Sequence, residues 1–501
     1  MTRIASPSRR DAQRVLLVNP NRMKPGVAPI ALDYLAHALR QAGFEVDLLD
    51  LCFSSDPAQD IERYFAGAPP LAVAVTLRNS DDCWFASRDF CLSRYQEIIE
   101  QIKARTAAPI ILGGSGFSVM PEAILAYCGL ELGVWGEGEY SLPRLLSRLA
   151  QGRDGHDVPG LVYATAGGYH RNRPRYLDLG GTAAPRRDTV DNRRYFEEGG
   201  MGSIETKRGC SKACIYCADP VGKGRRVRLR SPDSVADEIE MLLGTGIDHF
   251  HLCDSEFNLP PAHAESICLK LVERGLGDKV RWYTYASPAP FTPGLASLMR
   301  RAGCAGINFG VDSACDRMLR TLGRDYTAEE VGQTAQVCHR QGLVFMYDLL
   351  LGGPGETGES LRETIEAVKR LSPHRVGPSL GVRIFPGTRL AAMVRDQGPL
   401  AQNRNLQGTV AGDEGFFAPI FYLSAELGPD PQSYLAELIG GDERFFFTSR
   451  EGADKNYNYN DNTALVSAIR QGYRGAFWDI LRRLAGEAVR LSHDEAKGGA
   501  A

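Results

Sequence analysis

The sequence predicts an α/β protein built from a doubly wound parallel sheet, a partial (β/α)6 barrel and a small, mainly helical C-terminal domain. Three observations carry that reading. Short, continuously apolar strands alternate with amphipathic helices over residues 14–150 and again over 201–400, as strands buried on both faces do. The stretch between them, 151–200, is rich in Gly, Pro and Arg and reads as a linker. From 401 to 501 the alternation stops. At 501 residues the chain is long enough for each part to bury a core, and its first 13 residues are expected to be disordered.

In the first domain, Arg14-Val-Leu-Leu-Val-Asn-Pro is an apolar strand ending in turn residues, and residues 29–42 follow as an amphipathic helix closed by Gly43. Strands are also expected at 44–50, 71–77, 109–114 and 132–136, with helices at 92–105, 121–127 and 140–150. In such a sheet a ligand sits at the carboxyl ends of the strands. Three loops stand there: Leu77-Arg78-Asn79-Ser80-Asp81-Asp82, Gly113-Gly114-Ser115-Gly116-Phe117-Ser118 and Gly136-Glu137-Gly138-Glu139. Their glycines would let the backbone approach a flat or phosphorylated ligand. Inside the linker, Gly160-Leu-Val-Tyr could make only a hairpin.

The second domain opens with Gly202-Ser-Ile-Glu-Thr. It continues with helix 232–244 (started by Ser231-Pro232), strand 248–253, helix 261–274, strand 280–285, helix 294–302 and strand 305–311. Helix 327–341, strand 343–351, helix 358–371 and a last strand near 379–385 complete about six units, fewer than a closed barrel has. Reactive groups belong at the C-terminal strand ends, which carry Asp254-Ser255-Glu256, Asp312-Ser313, the loop 352–357 and Phe385-Pro386-Gly387-Thr388. Tyr283 and Tyr285 alternate on the third strand and so face one side. Beyond 400, aromatic pairs, the amide-rich run Asn456–Asn462 and a helix over 463–484 are read as a domain capping the barrel mouth.

Between the first strand and first helix of that barrel lie Cys210, Cys214 and Cys217, at C-x-x-x-C-x-x-C spacing. Three soft thiolates on one loop read as a metal site and select zinc, copper(I) or an iron–sulfur cluster. A structural zinc site wants four protein ligands, and no partner C-x-x-C or H-x-x-x-H appears. A [4Fe–4S] cluster on three cysteines leaves one iron open to a cosubstrate. Lys207 and Arg208 would then offset cluster charge, Gly209 would let the backbone approach, and Tyr216 would lie beside the open iron.

Composition narrows the rest. A net charge of −3 and a pI near 6.3 give no electrostatic footprint for nucleic acid. The N-terminus lacks the apolar core of a signal peptide and no apolar stretch reaches the length of a membrane span, so a cytoplasmic protein without membrane contact is expected. Twelve cysteines without a regular disulfide framework fit a reducing compartment.

The cysteine spacing, with an aromatic residue just before the third cysteine, resembles the radical S-adenosylmethionine (SAM) superfamily. The resemblance implies Cys210, Cys214 and Cys217 as ligands of a [4Fe–4S] cluster, and Tyr216, Asp254, Ser255, Glu256, Asp312 and Ser313 as SAM contacts. The three glycine-bearing loops look like the cobalamin-binding domain that precedes the barrel in one large radical SAM class. That likeness implies Arg78, Asn79, Ser80, Gly113, Gly114, Ser118, Gly136, Glu137, Gly138 and Glu139 as cobalamin contacts. Domains that place histidine below cobalt carry Asp-x-His-x-x-Gly after the first strand, where this chain has Asn19-Pro-Asn-Arg-Met-Lys-Pro-Gly. Arg78 is then expected near the lower face of cobalt, and it and Tyr216 are the residues given catalytic roles.

The class implied is a cobalamin-dependent radical SAM methyltransferase, which moves a methyl group from SAM through methylcobalamin to an unactivated carbon of a small molecule or peptide natural-product precursor. An external electron donor of flavodoxin or ferredoxin type goes with it. Arg-Asn-x-Asp and Asn-Tyr-Asn-Tyr segments loosely resemble the tryptophan 2-C-methyltransferase group, which implies tryptophan C2 as the acceptor. The alternative is a non-methylating cobalamin radical SAM enzyme that cyclises, contracts or rearranges a ring. A methylthiotransferase would need three further N-terminal cluster cysteines, and Cys52, Cys83, Cys91 and Cys128 lack that grouping.

Overall fold

The computed structural model describes residues 14–447 and 462–498, with side chains to 487. The N-terminal stretch 1–13 and nearly all of the Asn/Tyr-rich run at 456–462 lie outside the described residues. Strand β1 (Arg14–Asn19) pairs in parallel with β2 (Glu45–Asp50) and β3 (Ala72–Thr76), and β4 (Ile110–Gly113) and β5 (Leu132–Val134) continue in the order β2-β1-β3-β4-β5. Strand β1 is apolar throughout because both of its faces are covered. Leu16 and Val18 join one buried cluster, while Val15 and Leu17 join another on the opposite face. The strand order reverses between β1 and β3, which opens a crevice at their carboxyl ends.

The 151–200 stretch is more than a linker. Its expected hairpin forms as β6 (Leu161–Thr165) and β7 (Gly168–Arg171), and β6 adds antiparallel to β5. Composition hides this, because only Leu161 and Val162 are deeply buried, Tyr163 and Tyr169 are half-buried against the cores, and the remaining hairpin residues are exposed. The docking satisfies backbone groups that edge strand β5 would otherwise leave unpaired. A helix at Asn192–Gly199 then leads into the barrel.

The barrel sheet is six-stranded and parallel. It runs from β8 (Gly202–Ile204) past a small antiparallel ribbon of β9 (Lys207–Arg208) and β10 (Arg228–Leu229) to β11 (His249–Leu252), β12 (Arg281–Ala286), β13 (Cys304–Asp312), β14 (Phe345–Leu351) and β15 (Arg375–Leu380). Alternate residues Phe250, Leu252, Trp282, Ile307, Phe309 and Tyr347 pack outward among the helices. The intervening positions, His251, Tyr283, Tyr285, Asn308 and Asp348, face the lumen.

Three expectations fail at the C-terminal end. The last barrel strand lies at Arg375–Leu380 and breaks at Gly381 (φ 86°), so 382–385 does not continue it. Instead β16 (Val382–Arg383), β17 (Leu406–Gln407) and β18 (Phe421–Tyr422) form a small antiparallel sheet beside the mouth, where Phe421 meets Phe85 edge-on at 5.6 Å. The single helix expected over 463–484 is two, Thr463–Arg470 and Phe477–Gly498, interrupted at Gly472 and Gly475, both at positive φ. These two helices do not cap the mouth. Trp478 packs with Tyr283, Met346 and Ala476 beside Met201, Ala305 and Val344, and so closes the opposite end, where the strands begin. Tyr283 is therefore part of the barrel floor, its hydroxyl donating to Asp479 at 2.9 Å. Among the described residues no helix is long and apolar enough to cross a membrane.

Candidate active site

The cysteine loop begins at Gly209, whose φ of 87° and lack of Cβ are required because a side chain would collide with the Arg226 carbonyl. The loop is pinned by Cys210 N donating to the Gly224 carbonyl at 3.2 Å and Ile215 N to the Leu322 carbonyl at 3.0 Å. Its three half-buried thiols line one cavity of about 260 Å³ with Tyr216, Asp219, Ser255, Glu256, Tyr285 and Arg324. Burial pushes Cys214 up to about 11 and Cys217 up to about 12, so a metal must displace their protons. Among the described residues no three such side chains converge as a single ion would need. Thiols spread around a cavity suit a cubane, whose irons sit apart, better than one zinc.

Several expected contacts are engaged elsewhere. The Lys207 ammonium is buried against Asp254 at 3.0 Å and the Phe257 carbonyl. Asp254 also borders the cluster cavity, while its carboxylate accepts from Thr206 N, Thr206 Oγ1 and Lys207. Ser313 is buried on Thr364 Oγ1 at 2.8 Å. Ser255 and Glu256 do face the cavity, with Ser255 donating to Asp219 at 2.6 Å. Burial raises the Glu256 carboxyl to about 7 against the opposing pull of Arg324. Asp312 accepts from Tyr216 Oη and from Arg324 Nε, both at 2.6 Å. Arg324, Asp219 and Lys223 were not anticipated. The acid–base spacing of Asp219 and Lys223 just after Cys217 is visible in the sequence, whereas Arg324 follows a short helix, Asp316–Leu322, that no periodicity marked.

The second cavity, about 420 Å³, lies at the carboxyl ends of β3, β4 and β5. All ten residues expected around cobalamin line it: Arg78, Asn79, Ser80, Gly113, Gly114, Ser118, Gly136, Glu137, Gly138 and Glu139. It descends between Ala74, Ile111, Val134 and Leu142 into the apolar core, a slot suited to a flat aromatic group such as the base of a nucleotide tail. Gly114 sits at φ 100°, where a Cβ would stand 2.5 Å from the Leu77 carbonyl, and a Cβ on Gly116 would stand 2.7 Å from the Asn79 backbone. Ser118 ties two of the loops by accepting from Gly136 N at 3.0 Å. Glu137 and Glu139 serve the walls: Glu137 accepts from Leu177 N and pairs with Arg228, and Glu139 pairs with Arg208 at 2.7 Å.

Asp219 and Lys223 border both cavities, so one short helix, Asp219–Lys223, is the wall between them. Residues 204–368 match the radical SAM superfamily model and 22–146 the B12-binding domain model. The chain is 33% identical to a tryptophan 2-C-methyltransferase of Streptomyces laurentii, over 93% of this chain and 95% of that protein. The chain belongs to the cobalamin-dependent radical SAM methyltransferases. TsrM from Kitasatospora setae, a radical SAM methyltransferase solved with tryptophan substrate and a SAM analogue, aza-SAM, bound, superposes on this methyltransferase with a TM-score of 0.89 at 34% identity, covering 97% of this chain and all of that one. The same protein has been solved with cobalamin and a [4Fe–4S] cluster. OxsB, a cobalamin-dependent SAM radical enzyme, shares the fold at 18% identity and a TM-score of 0.69, over 82% of this chain and 64% of that one.

The loop after β1 offers this methyltransferase no imidazole. Asn19 is buried and donates to Asp50 at 2.9 Å and Tyr195 Oη at 3.0 Å, holding the loop rather than a metal. Gly114→Val is expected to reduce cobalamin loading at least tenfold, read from the cobalt content of the reconstituted protein, because the side chain would occupy the Leu77 backbone.

Proposed function

We propose that this enzyme methylates carbon 2 of tryptophan with SAM as the methyl source. Similarity across nearly the full length of both chains to an enzyme of that activity carries the reading. Two adjoining cofactor cavities behind one shared wall support it. When bound, cobalamin supplies a carrier for the methyl group and the cluster an open iron for SAM. In the cluster cavity, Ser255, Glu256 and Arg324 face the cosubstrate. A carboxylate suits its ammonium and a guanidinium its carboxylate. Asp312 holds both Tyr216 and Arg324 in position. Arg78 lines the cobalamin-side cavity and would offer cobalamin a non-coordinating cation there. Its carbonyl, accepting from Ser115 Oγ at 2.8 Å, anchors that loop. A one-electron donor of flavodoxin or ferredoxin type completes the system.

The test is anaerobic reconstitution with iron, sulfide and cobalamin, followed by methyl-labelled SAM and tryptophan. Label in 2-methyltryptophan is the expected product, and Arg78→Leu should alter the cobalamin spectrum and slow turnover. A loaded enzyme that releases 5′-deoxyadenosine without transferring label would favour the cyclising or rearranging alternative.

A further inference from the structure

The cobalamin cavity is walled from the barrel as well as from the first sheet, and the barrel side includes an aromatic ring. Phe385 follows β16 and borders the cavity together with Asp219, Gly222 and Lys223 of the second domain, while the first domain supplies the loops that carry Arg78 and Gly114. Its backbone is held on both sides. The Phe385 carbonyl accepts from Thr388 Oγ1 at 2.6 Å, and Ile384 N donates to the Ile420 carbonyl at 2.9 Å. Gly387 packs this turn on the wall helix, where a Cβ would stand 3.6 Å from Val221. A half-buried ring on a turn fixed in this way presents an apolar surface to whatever fills the cavity.

The ring is oriented by Arg383, whose guanidinium lies 4.5 Å from its centroid. Arg383 is buried, and every contact it makes ties the barrel mouth to the first domain or to the small sheet beside it. Its Nε donates to Asp81 at 3.0 Å, and its Nη1 and Nη2 donate to the carbonyls of Phe416 and Phe417, both at 3.3 Å. Asp81 stands on the loop after β3, borders the same cavity, and holds its own turn by accepting from Cys83 N at 3.0 Å. The Phe417 ring extends the tie, meeting Phe90 at 5.3 Å and Tyr127 at 5.4 Å on the first domain. A buried ion pair adds little stability over apolar packing of the same volume, because desolvation offsets its attraction. What this pair does add is direction: Asp81 at one end lines the cavity, and so does the ring held at the other.

We propose that Phe385 contacts the face of bound cobalamin turned toward the barrel, and that Arg383, tied to Asp81, is the residue that positions it. An aromatic ring against a flat, conjugated ligand gains stacking and keeps water from that side. Arg78 stands on the same loop as Asp81, so one ion pair sets both walls of the cavity. The assignment does not depend on which acceptor is methylated.

The experiment titrates cob(II)alamin into the full-length protein carrying its cluster and records the paramagnetic resonance spectrum of the bound form. The proteins compared are the wild type, Phe385→Leu, Phe385→Tyr, Arg383→Met and the double variant F385L/R383M. F385L should weaken binding about three- to tenfold, the range for one aromatic contact, whereas F385Y, which keeps the ring, should stay within about twofold of wild type. The F385L spectrum should also show a water ligand on cobalt that the wild type lacks. R383M should give the same spectral change, and adding F385L to it should weaken binding no further, because a residue acting through another is not additive with it. An F385L protein with wild-type affinity and spectrum would overturn the contact. Full additivity of F385L and R383M would overturn the positioning role and leave Arg383 as a structural tie alone. If R383M does not fold, Asp81→Asn, which keeps volume and hydrogen bonding while removing the charge, takes its place and is read against the same two outcomes.

Discussion

Replacing Cys210, Cys214 and Cys217 together by alanine is expected to reduce bound iron and sulfide to background and abolish methyl transfer, while cobalamin still binds. The three thiols line one cavity, and no alternative set of metal-ligating side chains converges among the described residues. Cobalamin should survive because its crevice is cut into the first sheet, whose two buried clusters are separate from the barrel core. Only the wall helix Asp219–Lys223 belongs to both cavities, and it begins after the last cysteine. Iron, sulfide and cobalt analyses of the same preparation check this. Unchanged iron content would remove the cysteines from the cluster, and loss of cobalt alongside iron would mean that the cluster loop builds the cobalamin site.

Residues whose role is set by local chain geometry were legible in advance. A strand buried on both faces must be apolar throughout, so Val15 to Val18 could be read directly, and the glycines of the three strand-end loops pointed to one crevice because only they allow so close an approach. The cysteine triplet was legible for the same reason. Side-chain direction was less so. Asp254, Ser255 and Glu256 are consecutive and all border the cavity, yet the Asp254 carboxylate is held by Thr206 and Lys207 while Glu256 pairs with Arg324, and no pattern in the sequence separates them. Contacts made across the chain were not legible either. The plug at Trp478 and the pairing of Asn308 with Asp348 depend on which strands the barrel sets side by side. Arg383 reaching Asp81, 302 positions away, is a third case.

The largest effect on stability is expected far from either cofactor, at Arg187. This residue leaves the stretch that composition marks as a linker and enters a wholly buried ionic network between the two domains. Its Nε donates to Asp33 at 2.8 Å, on the helix Ile30–Gln41 of the first domain. Its Nη1 donates to Glu238 at 2.7 Å, on the barrel helix Pro232–Gly244, and to the Ser203 carbonyl on β8, and its Nη2 donates to Asn192. Arg230 completes the balance by pairing with Glu238 at 2.6 Å, and Tyr34 donates to the same carboxylate at 3.0 Å. Two guanidinium groups thus face two carboxylates with the planar donor geometry that lysine lacks. Arg187→Ala would leave Asp33 buried without its cation, a change that costs about 3–5 kcal/mol. Loss of Arg194, whose pair with Glu198 is solvent-exposed, should cost no more than about 0.5 kcal/mol. Because the network joins cobalamin domain, connector and barrel, R187A should also lower methyl transfer more than it lowers cobalamin or iron content, as the two cavities lose their fixed spacing. Urea unfolding of the two variants, with cofactor analysis of each, distinguishes these effects. An R187A protein as stable as R194A would show that the domains are held by their apolar contacts, with the network adding only direction.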